Sequence, residues 1–160
     1  MGAGKSTVGP LVAGRLGLPF IDLDQRVGAE AGRTISGIFA AEGEDGFRRR
    51  KRAEVTATAG EEAVVACGGG VVLAAENVAR LRESGLVVWL DAPAPVLEER
   101  VGAGEGRPLL AGGEAGGALG RIREARAAGY AAAAHHRVET TGRTPEEVAA
   151  EVVLLWKRCE

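Results

Sequence analysis

The sequence predicts a single α/β domain of three layers, in which helices cover both faces of a short parallel sheet. Two observations predict this fold: short apolar runs alternate with longer helix-like patterns, and the runs are apolar almost throughout. Alternation is typical of a parallel sheet, and continuously apolar strands indicate burial on both faces. A chain of 160 residues is long enough for one such core and too short for two ordinary domains, so we expect one domain over 1–160.

The pattern places each element in turn. Strands are predicted at 18–22, 63–67 and 86–90, with a weaker one at 137–140. Helical spacing is found at 6–16, 34–59, 75–83, 94–101 and 145–157. The last helix has Thr144 in the N-cap position, Pro145 at its first position and two glutamates in its first turn. The stretch 102–120 is rich in glycine and has no regular pattern, so we interpret it as a mobile lid.

Composition excludes several classes of protein. Hydrophobic residues make up 46% and charged residues 26%, which excludes a disordered or collagen-like chain. The net charge of -2 provides no basic field that would attract nucleic acid or a membrane surface. The two cysteines, Cys67 and Cys159, cannot form a disulfide scaffold, and no apolar run approaches a membrane span. We therefore expect a cytoplasmic monomer.

The first residues carry a phosphate-binding signature. They form the second half of a Walker A loop and consist of Gly2, Ala3, Gly4, Lys5, Ser6 and Thr7. In such a loop the glycines let backbone N–H groups surround phosphate oxygens, the lysine contacts the β- and γ-phosphates, and the serine hydroxyl ligates Mg²⁺. The alternative is a glycine-rich segment that happens to precede a helix.

The full Walker A signature has a further glycine about two positions ahead of Met1, and an apolar strand before that glycine. We therefore expect the natural protein to begin about ten or more residues before Met1.

From this loop onward the chain resembles the shikimate kinase family over nearly its whole length. The resemblance is carried by motifs in a fixed order: Ile21-Asp22-Leu23-Asp24, Gly32-Arg33-Thr34-Ile35-Ser36, Phe47-Arg48, Gly68-Gly69-Gly70, Arg107-Pro108-Leu109-Leu110, and Arg126 with Tyr130. It implies a P-loop kinase fold and ATP-dependent phosphorylation of the 3-hydroxyl of shikimate. The residues that it implies for binding ATP are those of the loop together with Arg100, Arg107, Arg143 and Pro145, and those for Mg²⁺ are Ser6 and Asp22.

Asp24 is the implied acceptor of the substrate hydroxyls. It follows a predicted strand at the edge where open α/β sheets place ligands, and a carboxylate there can take a proton during phosphoryl transfer. The alternative is that Asp24 only caps a helix beginning at Gln25.

Arg48 and Arg126 are implied to bind the substrate carboxylate, since a planar guanidinium suits a carboxylate better than an ammonium does. The alternative for Arg48 is a solvated helix face, because it lies in a run of five basic residues. The element that contains Arg126 and Tyr130 departs from the family pattern at one position. The family usually has a proline between the arginine and the tyrosine, where this chain has Ala128.

Gly69 and Gly70 are implied to line the substrate site, where the absence of Cβ atoms admits a ligand. The alternative is a plain turn between a strand and a helix. Lys5 and Arg107 are also implied to be catalytic residues, Arg107 as the arginine of the lid. The alternative for Arg107 is a solvated loop residue. Cys67 is interpreted as a small apolar residue rather than a nucleophile.

One position departs from the family pattern. Lys51 stands where the family typically has a glutamate that orients the substrate-binding arginine, so we expect repulsion between Lys51 and Arg48. Glu54, one helical turn on, is the candidate replacement. Two alternative functions stay open here: a related small-metabolite kinase such as a gluconate kinase, and a nucleotide-binding module with impaired catalysis.

Overall fold

The computed structural model describes residues 2–101 and 115–159, and within these ranges short strands alternate with helices. The helices are α1 (Lys5–Leu16), α2 (Leu23–Ala31), α3 (Ile35–Thr58), α4 (Ala75–Ser84), α5 (Ala94–Val101), α6 (Ala115–Ala133) and α7 (Pro145–Lys157). The strands are β1 (Phe20–Asp22), β2 (Val64–Ala66), β3 (Val88–Asp91) and β4 (His136–Glu139), and a 3₁₀ turn spans Val71–Leu73.

The strands form two parallel pairs. β1 pairs with β2, with Ile21 opposite Val65, and β3 pairs with β4, with Leu90 opposite Val138. Because parallel strands run in one direction, the carboxyl ends of each pair meet at the same edge. Open α/β sheets bind ligands at that edge, so the loops after β1 and β2 are placed to form a site.

Helices cover both faces of the strands, which confirms the three-layer prediction. One apolar cluster joins Val64 of β2 to α1, β4 and α7. The other joins Val65 of the same strand to Leu23 of α2 and Val55 of α3. Successive residues of a strand point to opposite faces, so Val64 and Val65 are both packed against helices. This explains why the strand sequences are apolar without alternation.

The predicted strands and helices are all present, with ends that differ by two residues or fewer. The N-terminal cap of α7 is also confirmed: the Thr144 hydroxyl accepts from the Glu147 N–H, and the Glu147 carboxylate accepts from the Thr144 N–H. The helix α2 was not among the predicted elements. It begins directly at the end of β1, where no turn sequence separates the two patterns.

The prediction of an irregular stretch at 102–120 is wrong for its last part, because residues 115–120 begin α6. Glycine disfavours a helix there, but tertiary contacts override that preference. The Gly117 N–H donates to the Glu98 carboxylate of α5 at 2.9 Å, which ties the start of α6 to the preceding helix. The remainder of the predicted lid lies outside the described residues.

An apolar cavity of about 710 Å³ lies between the two pairs of strands. Residues 64–66 of β2 and 88–91 of β3 line it, together with Val8 and Val12 of α1. The expected strand ahead of Gly2 stays a prediction.

We expect a chain extended ahead of Met1 by an apolar strand of about five residues to resist urea more strongly, since burying each valine or leucine stabilises by about 1.5–3 kcal/mol. The measurement compares the urea midpoints of the chain with and without the extension. An extension of equal length made of glycine and serine is the control. Equal midpoints for all three chains would show that the cavity does not accept a strand.

Candidate active site

A second cavity, of about 920 Å³, brings the predicted site residues together. Every predicted site residue within the described ranges lines it: Gly2, Ala3, Gly4, Lys5, Ser6, Thr7, Asp22, Asp24, Arg48, Gly69, Gly70, Arg100, Arg126, Arg143 and Pro145. Arg107 lies outside the described residues. The chain therefore folds residues from seven separated segments into one site.

The phosphate-binding loop is a tight turn that leads directly into α1. Gly2 and Gly4 have φ angles of 74° and 91°, in the left-handed region that favours glycine. A Cβ atom at Gly2 would lie 2.8 Å from the Leu97 carbonyl oxygen, so a larger residue does not fit. The first N–H groups of α1 have no partner within the helix, and its dipole is positive at this end. Such a turn is suited to binding phosphate oxygens.

Lys5 provides the positive charge beside this loop. Burial lowers the pKa of its ammonium, while the negative charges of the Asp24 and Asp22 carboxylates act in the opposite direction. The Lys5 ammonium therefore lies in a partly desolvated place among acidic groups. A phosphate that enters the loop meets a cation whose attraction is weakly screened by water.

Asp22 joins the loop to the first strand. Its carboxylate accepts from the Ser6 hydroxyl at 3.1 Å and from the backbone N–H groups of Asp24 and Gln25 at 3.0 and 3.3 Å. Asp22 is therefore the N-cap of α2. The alternative that Asp24 is this cap is wrong, and the Asp24 carboxylate is free for another role. The Ser6 hydroxyl and the Asp22 carboxylate are hard oxygen ligands of the type that Mg²⁺ prefers.

Asp24 forms an ion pair with Lys51 of α3. The expected repulsion between Lys51 and Arg48 is wrong, because the Lys51 ammonium is directed toward Asp24 and lies 4.6 Å from the centre of the Phe47 ring. Glu54 does not replace the missing glutamate beside Arg48. Its carboxylate pairs with Arg26 at 3.1 Å.

Arg48 reaches the cavity from the same helix and pairs with Glu44 at 2.6 Å. Both side chains are nearly half exposed, at 46% and 44%. An exposed pair of this kind contributes only about 0.2–1 kcal/mol. The Arg48 guanidinium can therefore exchange Glu44 for the carboxylate of a ligand at small cost.

The glycine turn after β2 meets α6. The Tyr130 hydroxyl donates to the Gly69 carbonyl oxygen at 2.9 Å. A Cβ atom at Gly69 would lie 2.6 Å from the Tyr130 hydroxyl oxygen and 3.6 Å from Arg126 Nη1. The turn is thus more than a connection, since it fixes the part of α6 that brings Arg126 to the cavity. Ala128 in place of the family's proline does not remove Arg126 from the site.

Arg100, Arg143 and Thr140 form the opposite rim of the cavity. Arg100 donates to the Thr140 hydroxyl and carbonyl oxygens, both at 2.8 Å. Arg143 donates to the Glu139 carbonyl oxygen at 3.0 Å and pairs with Glu151 at 2.6 Å. Sequence reasoning named the two arginines but missed Thr140. The available signal was its position at the carboxyl end of the predicted strand 137–140.

Cys67 fits the interpretation of a small apolar residue. It packs with the cluster around Leu23 and Val55, and burial raises the pKa of its thiol to about 11. A thiol with this pKa is almost entirely protonated at neutral pH and is a poor nucleophile. Cys159, in contrast, is exposed.

In the part of the chain that the structure describes, no helix is both long and apolar enough to cross a membrane. The same residues contain no cluster of three or more histidine, cysteine or acidic side chains that could hold a metal ion. A divalent cation here would depend on few protein ligands, as Mg²⁺ bound together with phosphates does.

A glycine turn with a lysine at the N-terminus of a helix, after which a parallel strand ends in a carboxylate, is typical of P-loop nucleotide-binding proteins, which include the P-loop kinases. The family model described as shikimate kinase matches residues 1–156. The chain belongs to the shikimate kinase family.

Named relatives and solved structures agree with this assignment. A shikimate kinase of Symbiobacterium thermophilum is 51% identical over 96% of this chain and 90% of its own length. A shikimate kinase of Salinispora tropica is 46% identical over 96% of this chain and 92% of its own length. The structure of shikimate kinase from Acinetobacter baumannii in complex with shikimate is 33% identical, with a TM-score of 0.95 over 100% of this chain and 90% of that one.

We expect an alkylating reagent such as iodoacetamide to modify Cys159 well before Cys67 at pH 8. Alkylation requires the thiolate, and below a pKa of about 11 the thiolate fraction of Cys67 rises tenfold with each pH unit. Mass spectrometry of the C159S variant measures the Cys67 rate alone between pH 7 and 10. A Cys67 rate at pH 8 equal to that of Cys159 would contradict the assignment of Cys67 as an unreactive thiol.

Proposed function

We propose that the protein transfers the γ-phosphoryl group of ATP to the 3-hydroxyl of shikimate. The observation that carries the proposal is the shared cavity, which is lined by the phosphate-binding turn, by the Asp24 carboxylate and by Arg48 and Arg126. Phosphoryl transfer needs little covalent help from the protein and depends on positioning and charge neutralisation. The residues of this cavity can supply both.

On the nucleotide side, the N–H groups of residues 2–7 and the Lys5 ammonium bind the phosphates. Arg100, Arg143 and Pro145 line the same cavity, and we assign to them the binding of the base and sugar of ATP. We assign to Arg107 the neutralisation of charge on the transferred group.

The proposal includes a Mg²⁺ ion bound by Ser6 and Asp22. The Ser6 hydroxyl and the Asp22 carboxylate already lie within hydrogen-bond distance of each other, so one ion can use both groups directly or through water. A bound Mg²⁺ would supply positive charge that partly neutralises the phosphates of ATP.

On the acceptor side, Asp24 accepts hydrogen bonds from the substrate hydroxyls and receives the proton of the attacking one. Arg48 and Arg126 bind the carboxylate of shikimate, and Gly69 and Gly70 let the ring approach the backbone. The two halves together align the hydroxyl oxygen with the terminal phosphate of ATP.

The family assignment favours this reaction over phosphorylation of gluconate. ADP release coupled to NADH oxidation tests the choice with shikimate and gluconate as alternative acceptors. We expect shikimate-dependent release that is abolished by EDTA and restored by excess Mg²⁺. ADP release only with gluconate would overturn the proposal, and nucleotide binding without release would indicate a module that lacks catalysis.

We expect the Asp24→Asn variant to bind ATP normally while its kcat falls by about two or more decades, because loss of a positioned base costs about 10²–10⁴ in rate. Its kcat in the coupled assay, its affinity for ATP from calorimetry and its urea midpoint are measured together.

The control for this prediction is Asp45→Asn, which makes the same chemical change on the exposed surface of α3. We expect its kcat to equal that of the unmodified chain. If Asp24→Asn also retained full turnover, Asp24 would be neither base nor hydroxyl acceptor.

A further inference from the structure

Lys51 combines two features that are rare together: its residue is only 6% exposed, and its ammonium lies in the substrate half of the candidate active site. We propose that Lys51 is a positioning residue that holds the Asp24 carboxylate in the orientation needed to accept the substrate hydroxyl. The proposal rests on the proposed function and adds to it a residue that touches Asp24 rather than the reacting atoms.

The buried ammonium is compensated on two sides. Its ion pair with the Asp24 carboxylate supplies an opposite charge, and the face of the Phe47 ring lies 4.6 Å from the ammonium nitrogen. Removing a charge from water costs several kcal/mol unless such partners are present, so the Lys51 head is confined to this place. The Asp24 carboxylate, 41% exposed, is confined with it and still faces the cavity.

The glycine turn encloses the pair from a third side. A Cβ atom at Gly68 would collide with the Lys51 ammonium and lie 2.6 Å from one Asp24 carboxylate oxygen. Three segments therefore meet at one ion pair: the start of α2, the middle of α3 and the turn after β2. Because the pair is packed against backbone, neither side chain can change its orientation without the other moving.

Lys51 also lies close in sequence to Arg48, the residue proposed to bind the other end of the substrate. It follows Arg48 by three residues on α3, so the two side chains leave the helix from neighbouring positions. Arg48 is proposed to hold the substrate carboxylate, and Lys51 holds the group that receives the hydroxyl. The ion pair thus links Asp24 on α2 to the helix that carries Arg48.

The experiment uses the chain with Lys51→Met, Asp24→Asn, both substitutions together, and Arg52→Met as the control. The Arg52 side chain is 52% exposed on the same helix, so the Arg52→Met substitution removes an equal charge outside the cavity. Steady-state kinetics give kcat and the KM values for shikimate and for ATP. Lys51→Gln is measured in parallel, and circular dichroism with urea midpoints establishes that each variant is folded.

We expect Lys51→Met to lower kcat/KM for shikimate by about 10–100-fold, because a displacement near 1 Å in a catalytic group has this cost. The KM for ATP should stay within about twofold, and Arg52→Met should behave like the unmodified chain. Adding Lys51→Met to Asp24→Asn should change the rate by less than about twofold, since residues that act through one another are not additive.

Two results would overturn the proposal. One is an unchanged kcat/KM for shikimate in folded Lys51→Met and Lys51→Gln variants. The other is a double variant that loses the full product of the two single effects, since Lys51 would then act independently of Asp24. Failure of the proposed function is separate, because it would appear as no shikimate-dependent turnover by the unmodified chain.

Discussion

The Asp22 carboxylate is the group on which the arrangement of the site depends. It accepts from the Ser6 hydroxyl and from two backbone N–H groups at the start of α2. One side chain therefore joins the phosphate-binding turn, the end of β1 and the helix that carries Asp24. Each of these bonds involves a charged acceptor, which makes it stronger than a bond between neutral groups. The nucleotide side and the acceptor side are held in register through this residue.

Two of the charged residues that line the cavity, Lys51 and Arg48, each form an ion pair with a carboxylate, and the two pairs differ in exposure. Lys51 faces Asp24 under close packing, whereas Arg48 faces Glu44 in an exposed pair. The first pair is costly to separate because one partner is buried. The second is exchanged easily because water already screens it. The cavity therefore combines a carboxylate held by close packing with an exposed cation that can change its partner, as the proposed binding of a hydroxyl and a carboxylate requires.

Much of the fold was predictable because its signals are local. Apolar runs specify the strands, Thr144 and Glu147 specify the start of α7, and the glycine-lysine turn specifies the phosphate site. The partner of Lys51 was not predictable, because Asp24 lies 27 positions earlier in the chain and only the packing of α2 on α3 brings them together. A single charge in a basic run carries no sign of its distant partner.

The position of the helix α6 was also not predictable from local sequence patterns. Its glycine-rich start gives no helical signal, yet contacts at two places determine where it lies. Arg123 donates to both carboxylate oxygens of the buried Asp91 at 3.0 and 2.7 Å, and Tyr130 donates to the glycine turn.

Burial alone would raise the pKa of Asp91, but Arg123 and Arg137 outweigh burial and hold that pKa below its usual range. Asp91 therefore stays charged, and it fixes the helix between the end of β3 and the turn after β2. Arg126 lies between these two anchors on the same helix. Its place in the cavity follows from these two anchors. The spacing from Tyr130 pointed to Arg126 itself, but Asp91 lies 32 positions before Arg123 and no local pattern in the sequence reveals that pairing.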